Sequence, residues 1–136
     1  MKKGGVLNSE LSYLIATMGH TDALVVADSG LPIPGSVRKV DLALVRGVPG
    51  FLETVEAILQ ELQVERAIVA REMSERSPHL YEKVRALVAS IPLEEIPHEE
   101  FKARVLGAKA VVRTGECTPR RSWGVRLILN RIQFFP

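Results

Sequence analysis

Apolar and polar positions along the chain alternate between helical and strand periods in short blocks. Between Leu11 and Met18 the apolar residues Leu11, Leu14, Ile15 and Met18 fall on one helix face, which Asn8 or Ser9 can cap and Gly19 ends. His20, Thr21 and Asp22 form a polar connection to Ala23-Leu24-Val25-Val26-Ala27, a continuous apolar run that reads as a buried strand. This run stops at Asp28-Ser29-Gly30. Leu31-Pro32-Ile33-Pro34-Gly35 must then be a loop, because two prolines restrict the backbone and remove amide donors. Val40 to Val45 predicts a second strand. From Phe51 to Leu62 the apolar positions keep a helical period, while Glu53, Glu56 and Glu61 occupy the other face. Val64 to Ala70 is a third strand, and Ser77-Pro78 opens a helix carrying Leu80, Val84, Leu87 and Val88. Glu94-Glu95-Ile96-Pro97 leads into a short helix from His98 to Leu106. Ala108 to Arg113 is a strand, Thr114-Gly115-Glu116 is a turn, and Arg126 to Phe135 closes the chain with an apolar run around Leu127-Ile128-Leu129.

Strands alternating with helices, without an internal repeat, predict a three-layer α/β/α architecture with a mostly parallel central sheet. The length of 136 residues suits one domain spanning residues 1–136. In such sheets ligands bind beyond the carboxyl ends of strands. Asp28 lies just past one, so it is the first candidate site residue.

Composition narrows the class. With 46% hydrophobic and 25% charged residues the chain has the balance of an ordinary globular protein. A net charge of +2 is too small for the footprint of a nucleic-acid binder. Cys117 is the single cysteine, which excludes an internal disulfide and fits a reducing, cytoplasmic location. In MKKGGVLNSEL the residues Gly4, Gly5, Asn8, Ser9 and Glu10 break up any signal-peptide apolar run, and no run of about 18 apolar residues predicts a membrane span.

Among residues able to carry chemistry, His20 stands between a helix-ending glycine and a strand. A histidine titrates near neutral pH and can give or take a proton, although a short polar connection also commonly carries one at the surface. Asp28 has two readings, a ligand-binding carboxylate or a turn-forming one that bonds the backbone two residues on. His98 and Lys102, four apart, share a helix face, with Glu99 and Glu100 between them as on a solvated surface. His79 reads as a surface residue. The three histidines lack a zinc spacing, and neither a glycine-rich phosphate loop nor a nucleophile elbow is present. Cys117 reads as a small buried residue.

The segments MKKGGVLNSEL, MGHTDALVVADSGLPIP, DLALVRGVPGFLETV, HEEFK and RTGEC-TP, taken in order, resemble the D-ribose pyranase family. The resemblance runs from residue 1 to about residue 119. The continuation G-L-P-I-P after the strand aspartate favours the ribose branch over the related fucose mutarotases. What the resemblance implies is an isomerase interconverting the pyranose and furanose rings of a free sugar, typically ribose. His20 would be its proton donor, and Asp28, His98 and Lys102 would contact the sugar. It also implies homo-oligomeric rings of five subunits, often stacked as decamers, with sites near subunit interfaces and neither metal nor organic cofactor. The chain departs from the family after Pro119. Where the family carries Tyr-x-Asn, this chain has Arg120 and Ser122 without a gap, or Gly124 and Arg126 after an insertion of four.

Overall fold

A computed structural model of the chain describes residues 1–117 and 124–129. Arg120, Arg121, Ser122 and Trp123, and the part of the closing strand expected beyond Leu129, lie outside the described residues. Along the chain the elements are α1 (Ser9–Thr17), β1 (Ala23–Ala27), β2 (Arg38–Asp41), α2 (Phe51–Glu61), β3 (Val64–Ala70), α3 (Arg71–Arg76), α4 (Pro78–Leu87), β4 (Leu93–Ile96), α5 (His98–Val105), β5 (Ala110–Arg113) and β6 (Gly124–Leu129).

The strands form one sheet in the order β2-β5-β1-β6-β3-β4. β1 pairs in parallel with β5, β5 with β2, and β3 with β4, whereas β6 runs antiparallel to both β1 and β3. The mostly parallel sheet is therefore as expected, with one reversed strand at its centre. Connections from β2 through α4 travel towards β4, while α5 returns towards β5. Right-handed crossovers then place α2 and α4 on one face and α5 on the other. In agreement, α2 packs on β1 and α4, and α5 packs on β3.

Every residue of β1 is buried, as its unbroken apolar run predicts for a strand covered on both faces. The alternation within β6 shows how the faces divide. Val125 and Leu127 point one way, while Gly124, Arg126 and Ile128 point the other. The ring of Phe101, on α5, lies 3.3 Å from where a Cβ on Gly124 would sit, so the second set faces α5. Arg66 pairs with Ile128, so it shares that face with Arg126.

The strands depart from the sequence reading in several places: β2 starts at Arg38 instead of Val40 and β5 at Ala110 instead of Ala108. The second strand ends at Asp41 instead of Val45, because the Asp41 carboxylate accepts from the Ala43 amide at 3.1 Å and turns the chain. Leu93–Ile96, expected to lead into a helix, is an edge strand beside β3. Its Glu94 and Glu95 are exposed, a charge pattern that blunts an open edge but hides the apolar alternation. Helix α3 was not anticipated.

Past β5, Gly115 accepts from the Gly47 amide at 2.6 Å and donates to Pro49 O at 2.9 Å. A Cβ there would collide with Val48 O and lie 2.7 Å from Val45 O. Gly115→Ala must therefore push the 44–50 loop off the sheet. The expected cost is about 1–3 kcal/mol, typical of overpacking, read from urea unfolding. An unchanged midpoint would show that this loop is not held.

Candidate active site

Because five strands run in parallel, their carboxyl ends share one edge of the sheet. Asp28 follows β1 there and is only 1% exposed. Its Oδ1 accepts from the amides of Gly30 at 3.1 Å and Leu31 at 3.0 Å, so the turn-forming role read from the sequence is realised. Next to it, Thr114 directs both its amide (2.9 Å) and its hydroxyl (2.8 Å) at the Ala27 carbonyl. The Ser29 amide then donates to Glu116 O at 2.8 Å, which fixes the residue following Asp28.

Arg113 bridges two loops at this edge. Its Nε donates to Ser29 O at 3.2 Å, and its Nη1 reaches both oxygens of Asp41 at 3.0 Å. Burial alone would raise the Asp41 carboxyl, but the Ala43 amide and the Arg113 guanidinium outweigh it and hold the group below its ordinary value. Glu116 Oε1 accepts from the Phe51 amide at 3.3 Å, placing a carboxylate at the start of α2. Cys117, half-buried with a free thiol, lies 3.2 Å from Ser29 Oγ.

At the far end of the same edge, His98 opens α5 and is half-buried, with Lys102 one turn on, as the four-residue spacing predicts. The Lys102 ammonium lies 3.2 Å from Glu99. A residue the sequence reading missed organises this corner. Glu72, in the first turn of α3, takes the His98 amide with both carboxylate oxygens at 3.1 Å. The signal for it was present: Glu72 is an acid just past an apolar strand, as Asp28 is.

His20 is elsewhere. It precedes β1, whereas Asp28 follows it, and five residues of strand between them span about 16 Å. A single chain thus places Asp28 and His98 at one edge of the sheet, three strand positions apart and with Lys102 a turn into α5, and leaves His20 at the other edge. His20 is exposed in a turn in which the Asp22 amide donates to Gly19 O at 3.1 Å and Asp22 Oδ2 accepts from the Gly19 amide at 2.8 Å. Thr21 holds φ at +74°, a left-handed conformation unusual for a β-branched residue. Strain of this kind gathers at functional turns.

Two clefts flank the Asp28 side of the edge and meet at Cys117. One of about 340 Å³ lies among Ser29, Leu44, Arg46 and Arg113. The other, about 450 Å³, lies among Leu52, Arg76, His79, Lys83 and Glu116. A larger cleft of about 780 Å³ runs between α4 and β4, and none of the three is lined by His20, Asp28, His98 or Lys102. Among the described residues no three His, Cys, Asp or Glu side chains converge as a metal set, and no helix is long and apolar enough to cross a membrane.

An open, mostly parallel α/β sheet with polar side chains at its carboxyl edge places the chain among the α/β proteins. More narrowly, the chain belongs to the RbsD / FucU transport protein family, whose model matches residues 1–120. It is similar to D-ribose pyranases from Vibrio vulnificus (55% identical over 130 residues, 88% of this chain and 91% of the relative). A D-ribose pyranase from Geobacillus kaustophilus is 50% identical over 119 residues, 88% of each chain. Among solved structures, Bacillus subtilis RbsD complexed with D-ribose superposes with a TM-score of 0.90 at 40% identity, covering 98% of this chain and all of that one. The fucose mutarotase of Streptococcus pneumoniae, at 19% identity and a TM-score of 0.77, shares the fold.

Removing the Glu72 carboxylate should loosen the first turn of α5. In Glu72→Ala the His98 amide is expected to exchange with solvent about tenfold faster or more, since a hydrogen bond to a charged group contributes about 1.5–3 kcal/mol. Hydrogen-exchange NMR of the two proteins measures it directly. Equal protection would mean that Glu72 does not hold the helix.

Proposed function

We propose that this chain is a D-ribose pyranase, interconverting the pyranose and furanose forms of free ribose. The observation that carries the reading is the match to relatives of that name over most of both chains, together with the likeness to a ribose-bound structure. The chemistry fits the residue types. A base takes the proton from the anomeric hydroxyl as the bond between C1 and the ring oxygen breaks, and the ring oxygen receives a proton. The open aldehyde rotates, a different hydroxyl attacks C1 and loses its proton, and the carbonyl oxygen regains one. Protons balance and nothing is oxidised. His20 alternates as acid and base, while Asp28, His98 and Lys102 bind sugar hydroxyls.

Because His20 and Asp28 lie at opposite ends of β1, this reading requires two copies of the chain, one supplying His20 and the next the carboxyl-edge ligands. A ring of five subunits, or two stacked rings, meets that need. The exposed apolar tip of the 44–48 loop supports it: Leu44 is 77% exposed and Val45 61%, beside the Asp28 edge.

Saturation-transfer NMR between the ring forms of ribose tests the reading. Wild type should accelerate exchange, and His20→Ala should lose about 10²-fold or more while its sedimentation coefficient stays unchanged. Asp28→Asn keeps an acceptor for the turn, so it should fold and lose activity chiefly through a raised KM. Ribose binding without faster exchange would instead make the chain a non-catalytic sugar-binding ring. Acceleration of fucose but not ribose would make it a mutarotase for another sugar.

A further inference from the structure

On the face of the sheet that α5 covers, three guanidiniums gather from three elements: Arg66 on β3, Arg104 on α5 and Arg126 on β6. Their positive charges are close enough that Arg104 and Arg66, after burial, push the Arg126 guanidinium below its ordinary value. Two carboxylates are at hand, and each serves an outer arginine. Glu100 meets Arg104 at 2.8 Å and Glu94 meets Arg66 at 3.9 Å. Arg126 has no ion-pair partner among the described residues, and its Nε is a buried donor without an acceptor. Beyond its outer end is Gly107, where even a Cβ would stay 3.9 Å from Nη2.

This gathering of like charges is unfavourable on its own. Arg126 is half-buried, and its Nε, shut off from water without an acceptor, loses its hydration and gains nothing in exchange. The carboxyl end of α5 offers a partial negative charge nearby, which offsets one positive charge at most. An anion resolves the conflict, and its shape can be specified. A carboxylate presents one edge and suits one guanidinium fork, whereas a tetrahedral phosphoryl group presents several oxygens and accepts from more than one arginine at once. Entry is open, since the side chains of Arg66 and Arg104 are 51% and 35% exposed.

We propose that Arg126, Arg104 and Arg66 form a binding site for a phosphoryl group, carried by free phosphate or by a phosphorylated sugar. It is separate from the residues assigned to ribose. Arg126 pairs with Val25 and Ile68 inside the sheet, two residues in from the carboxyl edge, so the site's failure and that of the ribose reading are independent.

The test titrates the full chain with sodium phosphate, holding ionic strength constant with sodium chloride, and follows ³¹P line broadening and heat. Wild type should give a saturable response that chloride does not reproduce. Arg126→Met, which keeps an apolar stem and removes the fork, should bind phosphate at least about tenfold more weakly, the equivalent of one charged hydrogen bond. Arg104→Gln alters a half-exposed side chain and decides the matter if Arg126→Met does not fold; it too should weaken binding about tenfold. Ribose 5-phosphate separates the sources: equal affinity with phosphate assigns the free anion, and clearly tighter binding assigns the sugar phosphate. A wild-type response no larger than that to chloride, or equal binding by wild type and Arg104→Gln, would overturn the proposal.

Discussion

The Ala27 carbonyl, at the end of β1, accepts from both the amide and the hydroxyl of Thr114, and much of the candidate site depends on that pair of hydrogen bonds. Parallel strands normally part at their carboxyl ends, leaving backbone groups to find partners in loops. An orphaned buried group costs about 1–3 kcal/mol, so the way this one is satisfied constrains its neighbours. Here the chain after β5 continues alongside the chain after β1 for three more residues. Asp28 is set by its own turn and by Glu116 on the next amide. Gly115 takes the 44–50 loop, and the Glu116 side chain takes the start of α2. One extended pairing thus ties the sugar-site candidate, the exposed apolar loop and a core helix together.

The same parallel order explains why the candidates divide as they do. Every crossover returns the chain to the amino edge before the next strand, so residues just after strands collect at one edge and residues just before them at the other. Asp28, Glu72 and His98 belong to the first group, and His20 belongs to the second. No side-chain rotation closes a gap of about 16 Å. Within one chain, therefore, no chemistry can use both groups at once, and the turn strained at Thr21 displays His20 outward.

Much of this was legible in the sequence. The unbroken run Ala23–Ala27 identifies a strand buried on both faces, and the helical period from Phe51 to Leu62 identifies α2. Even the separation of His20 from Asp28 follows from counting five strand residues between them, once the strand is recognised. Other features were not legible, for physical reasons. β4 consists of two apolar residues around two glutamates, and only its pairing with β3 makes it a strand. The end of β2 is decided by a side chain capping its own turn. Glu72 is marked by its place just past an apolar strand, but its partner, a backbone amide 26 residues away, is a contact that local pattern does not reveal.

The central reversed strand divides its roles between its two faces. Residues 124–129 lie beyond the family match at 1–120, yet they occupy the slot between β1 and β3. Val125 and Leu127, both 0% exposed, fill the face opposite α5 and hold the strand in that slot. Period-two alternation puts the other positions on the face that α5 covers, which is as closely packed: a Cβ on Gly124 would lie 2.9 Å from Val26 O. Gly124 and Arg126 stand on that face, one admitting the Phe101 ring and the other bringing a charge into the interior. The strand thus keeps its place in the sheet through apolar residues on one face, while the face under α5 combines a close-packed glycine with a guanidinium whose Nε is buried.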